Sequence, residues 1–223
     1  MAITPFSHET TVPCHGTTKI SVTYTNMAAR VDEWICKVEA VLAAADVKIV
    51  GVDVEYTRKG WKPQVAAVVQ FCVGQDVLVY HYCHADKPSE KILPFTRNWG
   101  YTFAGFDITN DRNVLARSDP TLYISNYKDI QAIWRDPDNR KRKQGMKDVA
   151  GAIIDEYYLG MKDGFGEKEH NMWALPPPLP EEHLKYAARD AYVAYELYRK
   201  LDKFERGFFG LYKNPVKKRL RDW

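Results

Sequence analysis

Cysteine is scarce in this 223-residue chain: of its four, Cys14, Cys36, Cys72 and Cys83, none stands in a CxxC pair or at the histidine spacing of a zinc site. That excludes a disulfide scaffold and leaves free thiols in a reducing compartment as the expectation. No stretch approaches the roughly 18 consecutive apolar residues of a membrane span. The opening MAITPFSHETTVPCHG lacks the basic start and apolar run of a signal peptide. An intracellular protein of the cytoplasm or nucleus, with no membrane partner, is expected. Glycine-rich phosphate loops are missing too, which argues against a nucleotide-binding ATPase. Excess charge of one sign is slight, a net +3, too little to announce a nucleic-acid partner by itself.

What is present is the balance of an ordinary globular protein, 45% apolar and 27% charged, with enough length for one domain of generous size. The positive charge is bunched. RDPDNRKRKQ carries Arg135, Arg140, Lys141, Arg142 and Lys143, and the C-terminus carries Lys213, Lys217, Lys218, Arg219 and Arg221. Each run reads as a solvated loop or tail, with phosphate contact or nuclear import as the sharper alternative.

Residues 1–16 hold little pattern, and TTKISVTYTN at 17–26 reads as a first strand at a sheet edge. Val31, Trp34, Ile35, Val38, Val41 and Leu42 recur at three and four residue steps, one face of a helix over 28–45. A strand follows at 48–56. QVAAVVQFCVG and DVLVYHYC, separated by Gly74, Gln75 and Asp76, predict an antiparallel hairpin. YTFAGFDI predicts a strand and NDRNVLARSD a helix, with a short strand in TLYISNYKDI. Helices over about 146–159 and 181–203 close the chain, separated by the Gly- and Pro-rich loop GMKDGFGEKEHNMWALPPPLP. Strands mixed with helices in this order predict an α/β fold, a mixed sheet covered on both faces by helices.

The strand at 48–56 has one oddity. Ile49, Val50, Val52 and Val54 suit a strand buried on both faces, yet Asp53 and Glu55 interrupt them. Two residues apart, these carboxylates share one face with Cα atoms about 6.6 Å apart. Bare carboxylates on a buried face repel each other and lose hydration, a cost relieved by protonation, a basic partner or a cation. Asp111 stands just past FAGFDI, where a side chain can turn back over the sheet. Asp190 lies beside the apolar face of the last helix, with Tyr186 one turn before it. One acidic pair on a strand, one acid past a second strand and one on a helix suit a site for two hard cations about 3.5 to 4 Å apart. Such a site favours phosphodiester hydrolysis.

GVDVEY, FAGFDITND and YAARDAY, in that order and on those element types, resemble the three motifs of the DEDD superfamily of 3′-5′ exonucleases. Over about residues 28–205 the chain is most similar to the Werner-syndrome exonuclease domain and its small stand-alone plant relatives. The resemblance implies an RNase H-like fold, two Mg²⁺ or Mn²⁺ ions, and a nucleic acid with a free 3′ end as substrate. Tyr186-x-x-x-Asp190 resembles the tyrosine subclass, because the place of the other subclass's histidine holds Lys185. By the same resemblance Asp53 bridges both cations, Glu55 and Asp190 complete the water-activating site, Asp111 holds the second cation, and Tyr186 orients the water. A phenol of pKa about 10 is a poor base but a good positioner, which agrees with that role. Two departures stand out. EKEHNMW lacks the family's Lys or Arg and Ser before its tryptophan, and Asn113 replaces an aromatic residue.

Alone, Asp53 and Glu55 are equally well explained by a salt bridge at a strand end; joined to Asp111, Tyr186 and Asp190 they are not. His170 and His183 are expected at the surface. Arg58, Trp61, Asn110 and Trp173 are candidate substrate contacts, although packing competes with base stacking for Trp61, Trp99 and Trp173. The regions expected are an N-terminal extension or edge strand at 1–27, the exonuclease domain at 28–205 and a basic tail at 206–223. A small chain of modest charge suits single-stranded ends, RNA slightly ahead of DNA, and GFFGLY near the C-terminus offers a possible homo-oligomer contact. A silent binding module of the same fold is the competing function; its usual mark, a missing carboxylate, is not there.

Overall fold

Apolar residues on both faces of the strands have nowhere to go but between two helical layers, and the structure, a computed structural model, takes that form. It describes residues 3–58, 60, 63–134 and 144–211, with side chains through 202. Trp61, most of RDPDNRKRKQ, the side chains of GFFGLY and the C-terminal basic residues lie outside the described residues. In chain order the elements are β1 (Ser7–Pro13), β2 (Lys19–Thr25), α1 (Ala28–Ala44), β3 (Ile49–Tyr56), β4 (Ala66–Val73) and β5 (Asp76–Tyr80). There follow α2 (Ile92–Thr96), β6 (Thr102–Gly105), α3 (Thr109–Arg117), β7 (Tyr127–Asp129), α4 (Ile130–Ile133), α5 (Met146–Ile153), α6 (Glu167–His170) and α7 (Glu181–Leu211). The strands make one mixed sheet in the order β1-β2-β5-β4-β3-β6-β7. No helix among the described residues is long and apolar enough to cross a membrane.

Register explains the odd strand. Val50, Val52 and Val54 pack on one side with Val31, Trp34, Ile35, Val38 and Leu42 of α1, while Val41 of that helix stays exposed. The alternate positions Gly51, Asp53 and Glu55 therefore face the other side, the side of α7. Alanines 187, 188, 191 and 194 keep α7 thin where it crosses the sheet, and Gly51 lets it come closer still. A Cβ on Gly51 would stand 2.2 Å from the main-chain oxygen of Ala191. Small residues on both partners thus bring Asp190 down beside Asp53.

The hairpin of β4 and β5 turns at Gly74, whose φ of +64° is open to glycine at little cost. Several expectations are corrected. The strand expected at the edge is β2, which pairs with β5 on its inner side, and the edge is β1. In β1 only Val12 is buried; its ladder rests on main-chain hydrogen bonds, so SHETTVP shows no apolar alternation. The helix expected over 146–159 ends at Ile153, and a 3₁₀ turn at Glu156–Gly160 folds Leu159 over Gly151. The four cysteines are free thiols, Cys14 and Cys72 buried, Cys36 and Cys83 exposed.

Candidate active site

The groove lies where β3 ends, between α3, α6 and the middle of α7. Asp53 and Glu55 enter it from β3. The register of β3 on β4 slips between Glu55 and Tyr56, a bulge beside the acids beyond which Tyr56 still pairs with Ala66. Past β6 the chain reverses at Asp107, in the left-handed region at φ 58° with its N–H donated to the Asp129 carboxylate. That turn starts α3 and places Asp111 in its first turn, buried and facing the groove. Tyr186 and Asp190, one turn apart on α7, complete the set; Asp190 is 1% exposed.

Three of the acids converge. Asp53, Glu55 and Asp190 each offer a carboxylate oxygen within 4.8 Å of the others. Asp111 lines the same groove outside that triplet. Both of its oxygens accept phenol hydrogen bonds, Oδ1 from Tyr56 and Oδ2 from Tyr127 at 3.0 Å. Asp190 Oδ2 accepts from Lys162 Nζ at 2.7 Å, while its Oδ1 is buried with no hydrogen-bond partner among the described residues. Gln70, paired with Asp53 across β4, also buries both amide atoms without a partner there. Orphaned oxygens beside two further carboxylates fit a hard divalent cation such as Mg²⁺ or Mn²⁺ with its water.

Electrostatics point the same way. Burial, then repulsion from Asp190, Glu55 and Asp111, holds the Asp53 carboxyl well above its ordinary range. Burial also raises Glu55, against the pull of His170, whose Nδ1 lies 3.9 Å from Glu55 Oε2. Asp111 is pushed up to about 6 by burial, in spite of the two phenols. Burial alone would lower Lys162, but Asp190, Tyr186 and Asp53 outweigh it and its ammonium is held above the usual range. The carboxyls of Asp53, Glu55 and Asp111 are costly as anions here, and a cation would lower that cost.

Tyr186 is set by its neighbours. Phe165 stacks on its ring with centroids 4.1 Å apart, and Lys162 Nζ donates to its hydroxyl at 3.0 Å. An ammonium only donates, so the phenol proton remains available to an acceptor in the groove. The five motif residues are thus brought to one groove. Among the substrate candidates, Asn110 lines it, exposed Arg58 does not, and Trp173, although it reaches the lining, is 1% exposed beneath Phe165 and His183. An indole so covered has no face for a base. His183 is also buried, not superficial, and Asn113 is exposed outside the groove.

Sequence reading missed Lys162, His170, Tyr56 and Tyr127. Tyr56 directly follows the acidic pair and could have been suspected; Lys162 and His170 fall in a Gly- and Pro-rich stretch without periodicity, in which His170 ends the one-turn helix α6. The departure EKEHNMW supplies α6 and the turn after it, and lines the groove with Glu167, His170 and Asn171.

Solved structures share the architecture. The EXO domain of Aedes aegypti Nibbler is 15% identical, covering 82% of this chain and 88% of that one at a TM-score of 0.64. Escherichia coli RNase D, an exoribonuclease involved in structured RNA processing, is 17% identical at 0.61, covering 86% of this chain and 46% of that one. Brucella melitensis NrnC is 19% identical at 0.57, covering 73% and 76%. At these identities the likeness is one of fold, the RNase H-like exonuclease fold. No curated protein sequence matches the chain. The model of the 3′-5′ exonuclease family, however, matches residues 33–204, a span that includes Asp53, Glu55, Asp111, Tyr186 and Asp190. The chain belongs to the 3′-5′ exonuclease family and is a nuclease.

Proposed function

We propose that this nuclease is a divalent-cation-dependent exonuclease of the tyrosine subclass, removing nucleotides from the 3′ end of single-stranded nucleic acid, RNA ahead of DNA. The observation that carries the proposal is the convergence of Asp53, Glu55 and Asp190 around a buried, unpartnered Asp190 oxygen, with Asp111 in the same groove. Two Mg²⁺ or Mn²⁺ ions, when bound, supply Lewis acidity to the attacking and leaving oxygens. Asp53, Glu55 and Asp190 would hold one ion, and Asp111, with Asp53, would hold the other. Tyr186 keeps its proton and donates a hydrogen bond through its hydroxyl to the attacking water, which fixes the water's direction. Lys162 neutralises part of the carboxylate charge and orients both Tyr186 and Asp190. His170 and Asn110 line the groove, and in this reading they would meet the substrate.

In the reaction the water oxygen bonds to phosphorus and the bond from phosphorus to O3′ breaks. The shortened strand takes up a proton to end in a 3′-hydroxyl, and the terminal nucleotide leaves as a 5′-monophosphate. RNA is favoured because RNase D is an exoribonuclease and NrnC has been solved bound to pGG and with Mg²⁺. The resemblance of the motifs to the Werner-syndrome domain favours DNA as the second reading.

Purified protein is given 5′-labelled single-stranded RNA, single-stranded DNA and a recessed duplex, with Mg²⁺ or with EDTA. Stepwise shortening from the 3′ end in Mg²⁺ alone is expected, fastest on RNA. Asp53→Asn should slow it by roughly three orders of magnitude, the ~4 kcal/mol expected of a lost shared cation ligand. Undiminished cleavage by that variant, or cleavage in EDTA, would reject the proposal.

A further inference from the structure

Beside α3 lies a second cavity, of about 390 Å³, that shares no lining residue with the groove. Two large aromatic side chains at it are turned outward, Trp99 at 71% and Tyr123 at 55% exposure. An indole expected to pack is instead solvated. Two solvent-facing cations, Arg112 and Lys128, also line it, and no acidic residue does. Neither cation has a carboxylate partner among the described residues. In the groove, by contrast, carboxylates predominate. Exposed rings that stack, cations without counter-charges and a volume within the range of small-ligand sites are together the chemistry of a nucleotide: base on ring, phosphate on cation.

The cavity is tied to the groove through Tyr127 and Arg112. Tyr127 lines the cavity while its hydroxyl donates to Asp111, and Arg112 follows Asp111 on α3. Arg112 is already oriented: one guanidinium nitrogen donates to the Tyr127 carbonyl at 2.8 Å, and the guanidinium lies 5.7 Å from the centre of the Tyr127 ring. Its remaining N–H groups are open to a phosphate.

Resting on the exonuclease reading, we infer that this cavity is a second nucleotide-binding site. It holds one nucleotide of the substrate strand upstream of the scissile bond, stacked on Trp99 or Tyr123, with its phosphate on Arg112 and Lys128. The active site handles the 3′ end, and the cavity grips the body of the strand. Strands long enough to reach it bind more tightly than dinucleotides, which end inside the groove.

The test measures binding apart from cleavage. Fluorescence anisotropy of a 5′-labelled single-stranded RNA decamer is recorded in EDTA, for the full chain and for the double variant Trp99→Ala/Tyr123→Ala. The variant should bind the decamer about tenfold or more weakly, the scale of one lost stacking contact. Lys128→Gln should lower the slope of log Kd against log salt by about 0.7, one phosphate contact on a single strand. With Mg²⁺, dinucleotide turnover should match between the double variant and the unmodified chain, whereas KM for the decamer rises. Decamer binding unchanged by the double substitution overturns the inference, as does an equal loss on dinucleotide and decamer. If the unmodified chain cleaves neither RNA, the exonuclease reading fails separately, and the anisotropy alone still decides whether the cavity binds nucleic acid.

Discussion

Asp111 differs from the other acids in having a phenol on each oxygen. Tyr56 and Tyr127 come from strands on opposite sides of it, so the carboxylate plane is fixed before any cation arrives. Hydrogen bonds to a charged acceptor of this kind are worth about 1.5–3 kcal/mol. Tyr127→Phe therefore frees one oxygen to rotate and leaves burial less opposed at Asp111. The expected result is a roughly tenfold weaker affinity for Mn²⁺, seen by titration calorimetry on the nucleic-acid-free protein, with the fold retained because the ring still packs. A Mn²⁺ affinity equal to that of the unmodified chain would show that the phenol does not orient the ligand. The acids were legible in the sequence because each interrupts an apolar pattern: Asp53 and Glu55 a valine run, Asp190 an alanine-rich helix. Their partners were not. A tyrosine in a strand is unremarked, and the meeting of Tyr127 with Asp111 depends on the parallel pairing of β6 with β7, which no local pattern displays.

The contact between β3 and α7 sets the distance between the acids. Gly51→Ala puts a methyl group 2.2 Å from Ala191 O and 2.6 Å from Tyr195 N, both helix main chain, which cannot swing aside. Overpacking of this kind costs typically 1–3 kcal/mol. It also lifts α7, so activity should fall by more than the change in folded fraction accounts for. Gly74→Ala is the control: nothing lies within 4 Å of its Cβ, so it strains only the hairpin backbone at φ +64° and leaves activity intact. Denaturant unfolding alongside exonuclease rate separates the two, and an active Gly51→Ala protein would mean that the close approach is not needed. Elements whose faces alternate or recur, such as α1, β3, β4 and β5, were readable for the reason that packing demands the pattern. β1 was hidden because an edge strand packs almost nothing. The end of α5 was hidden because apolar spacing continued through Tyr157, while the chain had already turned to set Leu159 over Gly151.

At the scale of the whole molecule the carboxylate cluster is a stored cost, and its pH dependence has a definite sign. The carboxyls of Asp53, Glu55 and Asp111 are all held above their ordinary values, chiefly by burial. Raised groups bind more protons folded than unfolded, so their stabilising effect is complete below the ordinary carboxyl range and is lost as pH climbs through their folded values. For Asp111, at about 6 against an ordinary 3.8, the difference corresponds to roughly 3 kcal/mol lost by neutral pH. His170, raised by Glu55, loses its stabilising proton in the same direction as pH rises. Lys162, raised as well, keeps its proton throughout this window and opposes none of it. In EDTA the protein should therefore melt at a higher temperature at pH 5 than at pH 7.5. Mg²⁺ should raise Tm more at pH 7.5, where the carboxylates are ionised, because a ligand that binds only the folded state stabilises it. Asp111→Asn, which removes a titrating group, should flatten the EDTA profile. A Tm in EDTA that is level or rises between pH 5 and 7.5 would show that the cluster is already compensated by Lys162 and the phenols alone, and that a cation is not what the buried acids await.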